Sequence, residues 1–192
     1  MITNRPVILI HGIWDTSAKM EWLAEYLKTQ GFHVHIHELI PNNASVSMHH
    51  LAKELKSYLE VNDIAECDIV AFSMGGVVAR LFIQEYEGGN KVRKCATIAT
   101  PHKGTIMASL SRTIGGKEMR KGSSLIKELD CLSHSASSTK WLSIRTPLDL
   151  MIIPSSSSVI SFGENRSFPI VAHPLMVRSR RVARCVADFL SN

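Results

Sequence analysis

The sequence predicts an α/β domain built on a parallel sheet with helices on both faces. Short apolar runs rich in β-branched residues alternate along the chain with segments whose apolar residues recur every three or four positions. The runs are typical of strands covered on both faces, and the spaced residues are typical of amphipathic helices. Since right-handed crossovers bring the carboxyl ends of parallel strands to one edge of a sheet, functional residues are expected at that edge.

The first half of the chain predicts a strand, a helix, a strand and a helix, in that order. Residues 6–10 form a nearly continuous β-branched run, and the helical spacing over 17–30 stops before Gly31. Residues 33–39 then alternate between polar and apolar types, and residues 46–60 carry one apolar stripe at helical spacing.

The next segment repeats this pattern and then loses it. A strand over 67–72, a helix over 77–86 and a strand over 94–99 are predicted in turn. From 103 to 138 the chain is rich in Gly and Ser, with a single predicted helix near 124–132. We therefore expect 103–138 to form an irregular, lid-like excursion over one face of the sheet.

The end of the chain returns to regular structure. Strands are predicted over 140–146 and 167–172, and a last helix from Pro174 to about residue 190, because proline suits a first helical turn. No internal repeat or linker interrupts the sequence. We expect one domain over residues 1–192.

The composition excludes several classes of protein. With 45% hydrophobic residues and only 11 Gly and 7 Pro in 192 residues, the chain is neither collagen-like nor largely disordered. The 22 Lys and Arg against 17 Asp and Glu give a net charge of +5, which is too modest to predict a nucleic-acid partner. We expect a monomer.

The sequence also predicts a cytoplasmic protein. No apolar run reaches the roughly 18 residues of a membrane helix, and the run at 6–10 ends in His-Gly without a signal-peptide cleavage site. The four cysteines have no metal-binding spacing, which favours free thiols in a reducing compartment.

The most informative residues lie where a predicted strand turns into a predicted helix. Ser73 occupies this turn, in the string Ala71-Phe72-Ser73-Met74-Gly75. A nucleophile in a tight strand–turn–helix needs small residues two positions before and after it, and Ala71 and Gly75 meet that need. The start of the helix also supplies backbone N–H groups that can face an oxyanion.

Four segments resemble the α/β-hydrolase family, and within it the small lipases and esterases of the triacylglycerol lipase-like group. They are VILIHGIWDT at 7–16, VAFSMGGVVARLF at 70–82, TIATPHKGT at 97–105 and, more weakly, GSSLIKEL at 122–129. One departure is Ala71, where the family usually has Gly. The resemblance implies a minimal, predominantly parallel α/β-hydrolase sheet with a small lid or no lid.

The resemblance also implies a serine hydrolase that cleaves carboxylic esters through an acyl-enzyme, with no cofactor and no metal. Ser73 would be the nucleophile, and the backbone amides of Ile13 and Met74 would form the oxyanion hole. His11 is interpreted as a packed residue that steadies the loop after the first strand. Ile106, Met107, Leu110, Ile114 and Leu125 would suit the acyl chain.

The same fold implies an acid and a base that follow the nucleophile in the order acid, then histidine. His173 is the candidate base because it follows the last predicted strand, whereas the alternative, His134, lies in the excursion. Asp149 is the candidate acid because it follows the strand at 140–146; Glu164 is the fallback.

Three other functions stay open. The same acyl-enzyme could serve a thioesterase or an acyltransferase, and a hydrolase fold could also belong to a non-catalytic binding protein. Basic side chains also leave open a peripheral contact with anionic membranes. They are Lys117, Arg120, Lys121, Arg178, Arg180, Arg181 and Arg184.

Four further histidines are not assigned to catalysis. His33, His35 and His37 alternate on a strand expected at the sheet edge, without a carboxylate or thiol at ligand spacing, so a metal site is not predicted there. His102 is expected near the pocket, as support for the substrate or the lid.

Overall fold

The computed structural model describes residues 5–86, 88–132 and 138–192 and contains a six-stranded, all-parallel sheet. The strands follow the order β2-β1-β3-β4-β5-β6 across the sheet. Their bounds are Val7–Ile10 (β1), Val34–His37 (β2), Cys67–Phe72 (β3), Val92–Ile98 (β4), Lys140–Arg145 (β5) and Glu164–Ser167 (β6). The strand at 33–39 lies at the sheet edge, as predicted.

Helices cover both faces of the sheet. The α-helices run over Glu21–Thr29 (α1), Met48–Val61 (α2), Met74–Glu85 (α3), Gly88–Lys91 (α4), Ile114–Glu118 (α5), Ser124–Leu132 (α6) and Arg180–Ser191 (α7). Helices α1 and α7 pack on one face, and α2, α3 and α6 pack on the other. No helix within the described residues is long and apolar enough to cross a membrane.

The core consists of two apolar layers separated by the sheet. Because side chains alternate along a strand, Val7 and Leu9 of β1 contact the layer of α1 and α7, whereas Ile8 and Ile10 contact the layer of α2 and α3. Strand β3 is buried along its whole length. This double burial explains why the central strands are apolar at consecutive positions.

The last strand differs from its prediction. Strand β6 spans Glu164–Ser167, not 167–172, and all its residues are exposed at the second edge of the sheet. Pro169 has no N–H to donate to a neighbouring strand, and the Ile170 N–H donates instead to the hydroxyl of Thr146. The apolar run after Ser167 therefore packs on the core as an extended loop.

Two predicted helices are divided. The segment at 17–30 begins with a 3-10 turn, Ser17–Lys19, before α1. The segment from Pro174 begins with a 3-10 turn, His173–Arg178, before α7. The boundaries of the remaining predicted elements agree with the structure to within three residues.

The excursion contains more structure than one helix. A 3-10 turn at Ile106–Leu110 and helix α5 precede α6, which spans the predicted 124–132. Thr105 connects this segment to the loop after β5, because its hydroxyl donates to the Met151 carbonyl and accepts from the Ile153 N–H, both at 2.9 Å. His134, the alternative base, lies outside the described residues.

Candidate active site

Ser73 lies in a strained turn between β3 and α3. Its backbone has φ 52° and ψ −121°, a left-handed conformation that non-glycine residues adopt at a cost and that recurs at functional sites. The Ser73 N–H donates to the Ile98 carbonyl at 2.9 Å, which fixes the turn against β4. The Ser73 side chain faces a cavity at the carboxyl edge of the sheet.

Two glycines allow the backbone to close tightly around Ser73. A Cβ at Gly75 would lie 2.4 Å from the His11 carbonyl oxygen, so α3 can approach the end of β1 only without a side chain there. A Cβ at Gly12 would lie 3.0 Å from Ser73 Cβ. The loop after β1 therefore passes directly beside the Ser73 side chain.

Two backbone N–H groups are free to bind an anion at this point. Within the described residues, the N–H groups of Ile13 and Met74 donate to no protein acceptor. Met74 opens α3, so its N–H belongs to the unpaired first turn and to the positive end of the helix dipole. Ile13 and Ser73 line the same cavity.

His11 holds the loop that carries Ile13. It is fully buried, its Nδ1 donates to the Gly12 carbonyl at 2.8 Å, and its Nε2 accepts from the Leu39 N–H at 3.0 Å. These two bonds assign the ring tautomer. His11 thus connects the ends of β1 and β2, as expected of a packed residue.

Asp149 and His173 come together beside the nucleophile turn. His173 Nδ1 lies 2.8 Å from Asp149 Oδ2, and both side chains are buried. The second oxygen, Asp149 Oδ1, accepts from the N–H groups of Met151 and Ile152 at 2.9 Å each. The carboxylate is therefore fixed on both oxygens and orients the imidazole.

The His173 ring lies against the residue that precedes the nucleophile. Its centroid is 4.8 Å from that of Phe72. Within the described residues, Ser73 Oγ and His173 form no direct hydrogen bond. The fallback acid, Glu164, is the first residue of the outer strand β6, where its register partner is Leu142 and its carboxylate pairs with Arg166 at 2.8 Å. It therefore does not approach His173.

The cavity in front of Ser73 has a volume of about 270 Å³ and a largely apolar lining. Met107 and Leu110 line it, as the sequence predicts for an acyl site. Ile106 and Ile114 are exposed outside the cavity, and Leu125 packs in the core, so these three residues do not form the cavity wall. Ala108, Met119 and Ile152, which the sequence analysis did not single out, complete the apolar wall.

His102 does not line the cavity. It is almost completely buried, and its Nε2 lies 2.9 Å from the Thr97 hydroxyl. Burial, followed by the neighbouring Arg80 and Lys103 charges, lowers its pKa well below the usual histidine value. His102 is therefore a neutral structural residue beneath the site.

The edge-strand histidines show no arrangement shared by all three. The His33 and His35 rings contact each other at 4.7 Å, whereas His37 packs on Tyr58 at 4.6 Å. Among the predicted basic residues, Arg120 is directed inward, since its guanidinium donates to the carbonyls of Ala108 and Ser111.

Comparison with known proteins decides the family. A family model described as palmitoyl protein thioesterase matches residues 6–140, which is more than two thirds of the chain. The chain belongs to the palmitoyl protein thioesterase family.

The fold of this palmitoyl protein thioesterase family member is similar to those of several solved structures. A mature lipase of Bacillus licheniformis has 14% identity and a TM-score of 0.78, with 97% of this chain and 92% of that chain covered. Lipase B of Aspergillus fumigatus has 14% identity and a TM-score of 0.81, with 98% and 53% covered. A carboxylesterase structure from Nitrososphaera gargenis has 17% identity and a TM-score of 0.72, with 100% and 91% covered. The predicted α/β-hydrolase fold is confirmed.

One buried charge of this palmitoyl protein thioesterase family member was missed by the sequence analysis. Arg80, on the nucleophile helix α3, is 1% exposed and donates to the carbonyls of His102 and Leu129. It connects α3 to the segment that walls the cavity. The sequence does contain an indication of this role, because Arg80 is the single charged residue in the apolar run from Val77 to Ile83. A charged side chain in such a run is expected to be buried and to form hydrogen bonds inside the protein.

Proposed function

We propose that this protein is a serine hydrolase that cleaves carboxylic acyl esters through a covalent acyl-enzyme. The observation that carries the proposal is the Asp149–His173 pair, which lies beside a serine held in a strained strand-to-helix turn. The free amides of Ile13 and Met74 next to that serine add the anion-binding half of the site.

In the acylation step, Ser73 Oγ adds to the carbonyl carbon of the ester, and His173 Nε2 takes the hydroxyl proton. The carbonyl oxygen becomes an oxyanion that accepts hydrogen bonds from the N–H groups of Ile13 and Met74. When the C–O bond of the ester breaks, His173 returns its proton to the leaving alcohol. Asp149 stabilises the imidazolium in the interval.

In the second step, water replaces the alcohol. His173 takes a proton from the water, whose oxygen attacks the acyl carbon, and the proton then passes to Ser73 Oγ as the carboxylic acid leaves. We expect Ser73 Oγ and His173 Nε2 to approach hydrogen-bond distance when substrate is bound, because such bonds are often long in ligand-free enzymes.

An apolar acyl group fits the surroundings of Ser73. Of the twelve exposed large apolar residues among those described, eleven lie in the segments that follow the carboxyl ends of the strands, and one, Val61, lies in α2. Leu150, 77% exposed, and Trp14, 70% exposed, belong to this rim. A rim of this kind favours substrates with acyl chains, and we extend the proposal to esters presented at a lipid surface.

A thioester is the second candidate substrate. The family description of palmitoyl protein thioesterase favours it, and the chemistry differs only in the leaving group, a thiol in place of an alcohol. Nothing in the proposed roles of Ser73, His173 and Asp149 changes.

The test is a matched pair of substrates, an oxygen ester and a thioester with the same octanoyl group. We expect hydrolysis of the ester, and a comparable kcat/KM for the thioester would add thioesterase activity. Ser73→Ala supplies the background rate. Hydrolysis of the thioester alone would replace the proposed ester specificity, and hydrolysis of neither substrate would contradict the proposal.

A further inference from the structure

A second cluster of ligand-type side chains lies away from the carboxyl edge. His49 of α2, Glu85 of α3 and Glu128 of α6 each offer one donor atom, and these atoms all lie within 4.8 Å of one another. His49 Nδ1 is 3.6 Å from Glu85 Oε2, and His49 Nε2 is 3.7 Å from Glu128 Oε2. Three separate helices therefore contribute one ligand each.

The charges of this cluster are unbalanced. Glu85 and Glu128 both lie within 4 Å of the same imidazole, so two carboxylates flank one ring. In the part of the chain that the structure describes, neither carboxylate forms an ion pair with Lys or Arg. The Lys53 ammonium group lies over the Tyr86 ring, 5.8 Å from its centroid. Two facing carboxylates without a fixed cation attract a metal ion.

The imidazole is already oriented. The Tyr86 hydroxyl lies 2.8 Å from His49 Nδ1, and the Tyr86 and His49 rings meet edge-on at 6.1 Å. A metal-ligating histidine usually has such a partner on its other nitrogen, because the partner fixes the tautomer and the direction of the ring. The arrangement is that of a prepared ligand rather than a mobile surface histidine.

We propose that His49, Glu85 and Glu128 form a binding site for a divalent transition metal of the zinc class. Imidazole together with carboxylates suits Zn²⁺, whereas Ca²⁺ and Mg²⁺ prefer oxygen ligands only. Zn²⁺ commonly takes three protein ligands and completes its coordination with water.

The role of this site is structural. Glu85 ends α3 and Ser73 precedes it, so the ion would lie about 18 Å along the helix from the nucleophile. Helix α6 belongs to the segment that walls the cavity, and a bound ion would fasten it to α2 and α3. Arg80 already connects α3 to α6 through the Leu129 carbonyl, one residue beyond Glu128. The metal would reinforce this connection.

The experiment uses the full chain, freed of metal with a chelator and then titrated with Zn²⁺ by calorimetry and by thermal unfolding. We expect one ion per chain and a rise in Tm of about 5 °C at a free Zn²⁺ concentration of roughly 100 Kd. Ca²⁺ and Mg²⁺ should give no rise. The rise should disappear in His49→Ala and persist in His50→Ala, the neighbouring exposed histidine on the same helix.

Glu128→Gln separates metal binding from a purely structural effect. Without metal this variant should be at least as stable as the wild type, because the carboxylate repulsion is removed. With Zn²⁺ the order should reverse, since only the wild type gains stability. Absence of Zn²⁺ binding would overturn the proposal, and so would a Tm rise in His49→Ala or Glu128→Gln as large as that of the wild type. A Ca²⁺ response equal to that of Zn²⁺ would overturn the assigned class of metal.

Discussion

Asp149 and His173 lie 24 residues apart in the chain, and a 2.8 Å hydrogen bond connects their buried side chains. The bond is rigid because Asp149 is held from two sides: one oxygen binds the imidazole, and the other accepts two backbone N–H groups. The carboxylate therefore has no alternative orientation. This pair makes His173, the first residue of the 3-10 turn His173–Arg178, a base candidate with a defined tautomer.

Asp149→Asn should lower kcat by about a thousandfold or more, because the amide nitrogen would face His173 Nδ1 and select the wrong tautomer. The amide oxygen would continue to accept from Met151 and Ile152, so the fold should be retained. Steady-state ester hydrolysis and circular dichroism check the two statements. Glu164→Gln is the control, since Glu164 lies on the exposed strand β6 and pairs with Arg166; a larger loss in the control would mean that the acid is misassigned.

Ser73→Ala should abolish ester turnover and leave Tm nearly unchanged. The hydroxyl donates to no acceptor within the described residues, so its removal leaves no buried group unpaired. Turnover is measured against the uncatalysed rate, and Tm by thermal unfolding. Residual turnover above about a thousandth of the wild-type rate would point to another nucleophile.

Ala108→Trp should shorten the acyl chain that the cavity accepts. Ala108 lines the cavity and is 8% exposed, so a larger side chain would occupy the space of several methylenes. At about 0.8 kcal/mol for each methylene, losing three should lower kcat/KM on a decanoyl ester by about fiftyfold, with acetyl ester turnover retained. Ile106→Trp, at an exposed neighbour outside the cavity, is the matched control. An equal loss on both esters would contradict the placement of the acyl site.

Arg80→Met should reduce the free energy of unfolding by about 2 kcal/mol, because two buried carbonyls, those of His102 and Leu129, would lose their donor. Urea denaturation measures the change. Arg93→Met, at an exposed position of β4, should stay within about 0.5 kcal/mol of the wild type. A loss of equal size in both variants would show that Arg80 has no special structural role.

His37 should make the protein sensitive to acid. Burial and the neighbouring His11 lower the pKa of His37 to about 4, although Glu38 opposes the shift. Between pH 6.5 and 4 the unfolded chain binds a proton at this residue that the folded chain does not bind, so stability falls as the pH falls. Relative to His37→Gln, the wild type should lose about 2–3 kcal/mol of unfolding free energy between pH 7.5 and 4.5.

Urea denaturation of both proteins at the two pH values measures this difference, and any effect of the substitution that is independent of pH cancels. His50→Gln, at an exposed position, controls for the loss of a histidine. Equal pH dependence in the wild type and His37→Gln would contradict the assigned burial of the neutral ring.

The fold could be predicted because its signals are local. Buried parallel strands such as β3 are apolar at consecutive positions, and α2 and α6 carry one apolar stripe, so period and length separate the two kinds of element. Strand β6 was misplaced because its four exposed residues carry no apolar signal. The apolar run at 168–172 packs on the core but is not paired as a strand of the sheet. Its composition alone cannot distinguish such an extended loop from a strand.

The candidate site was predictable where a residue follows a strand, as Ser73 and Asp149 do. The contacts of Arg80 and the His49 cluster join helices that are distant in sequence, so no local pattern could indicate them. The apolar wall of the cavity was predicted only in part. Ile106 and Met107 are neighbours with similar composition, and only the path of the 3-10 turn decides which of them faces the cavity.

The most direct test is to treat the protein with a fluorophosphonate and map the adduct by mass spectrometry. A serine activated by His173 and faced by two free amides should give one adduct, on Ser73, and labelling should disappear in Ser73→Ala and slow by orders of magnitude in Asp149→Asn. A soluble octanoyl ester should protect the residue in competition. Absence of labelling in the folded wild type, as expected for a non-catalytic binding protein, or an adduct on a different serine would contradict the proposed serine hydrolase.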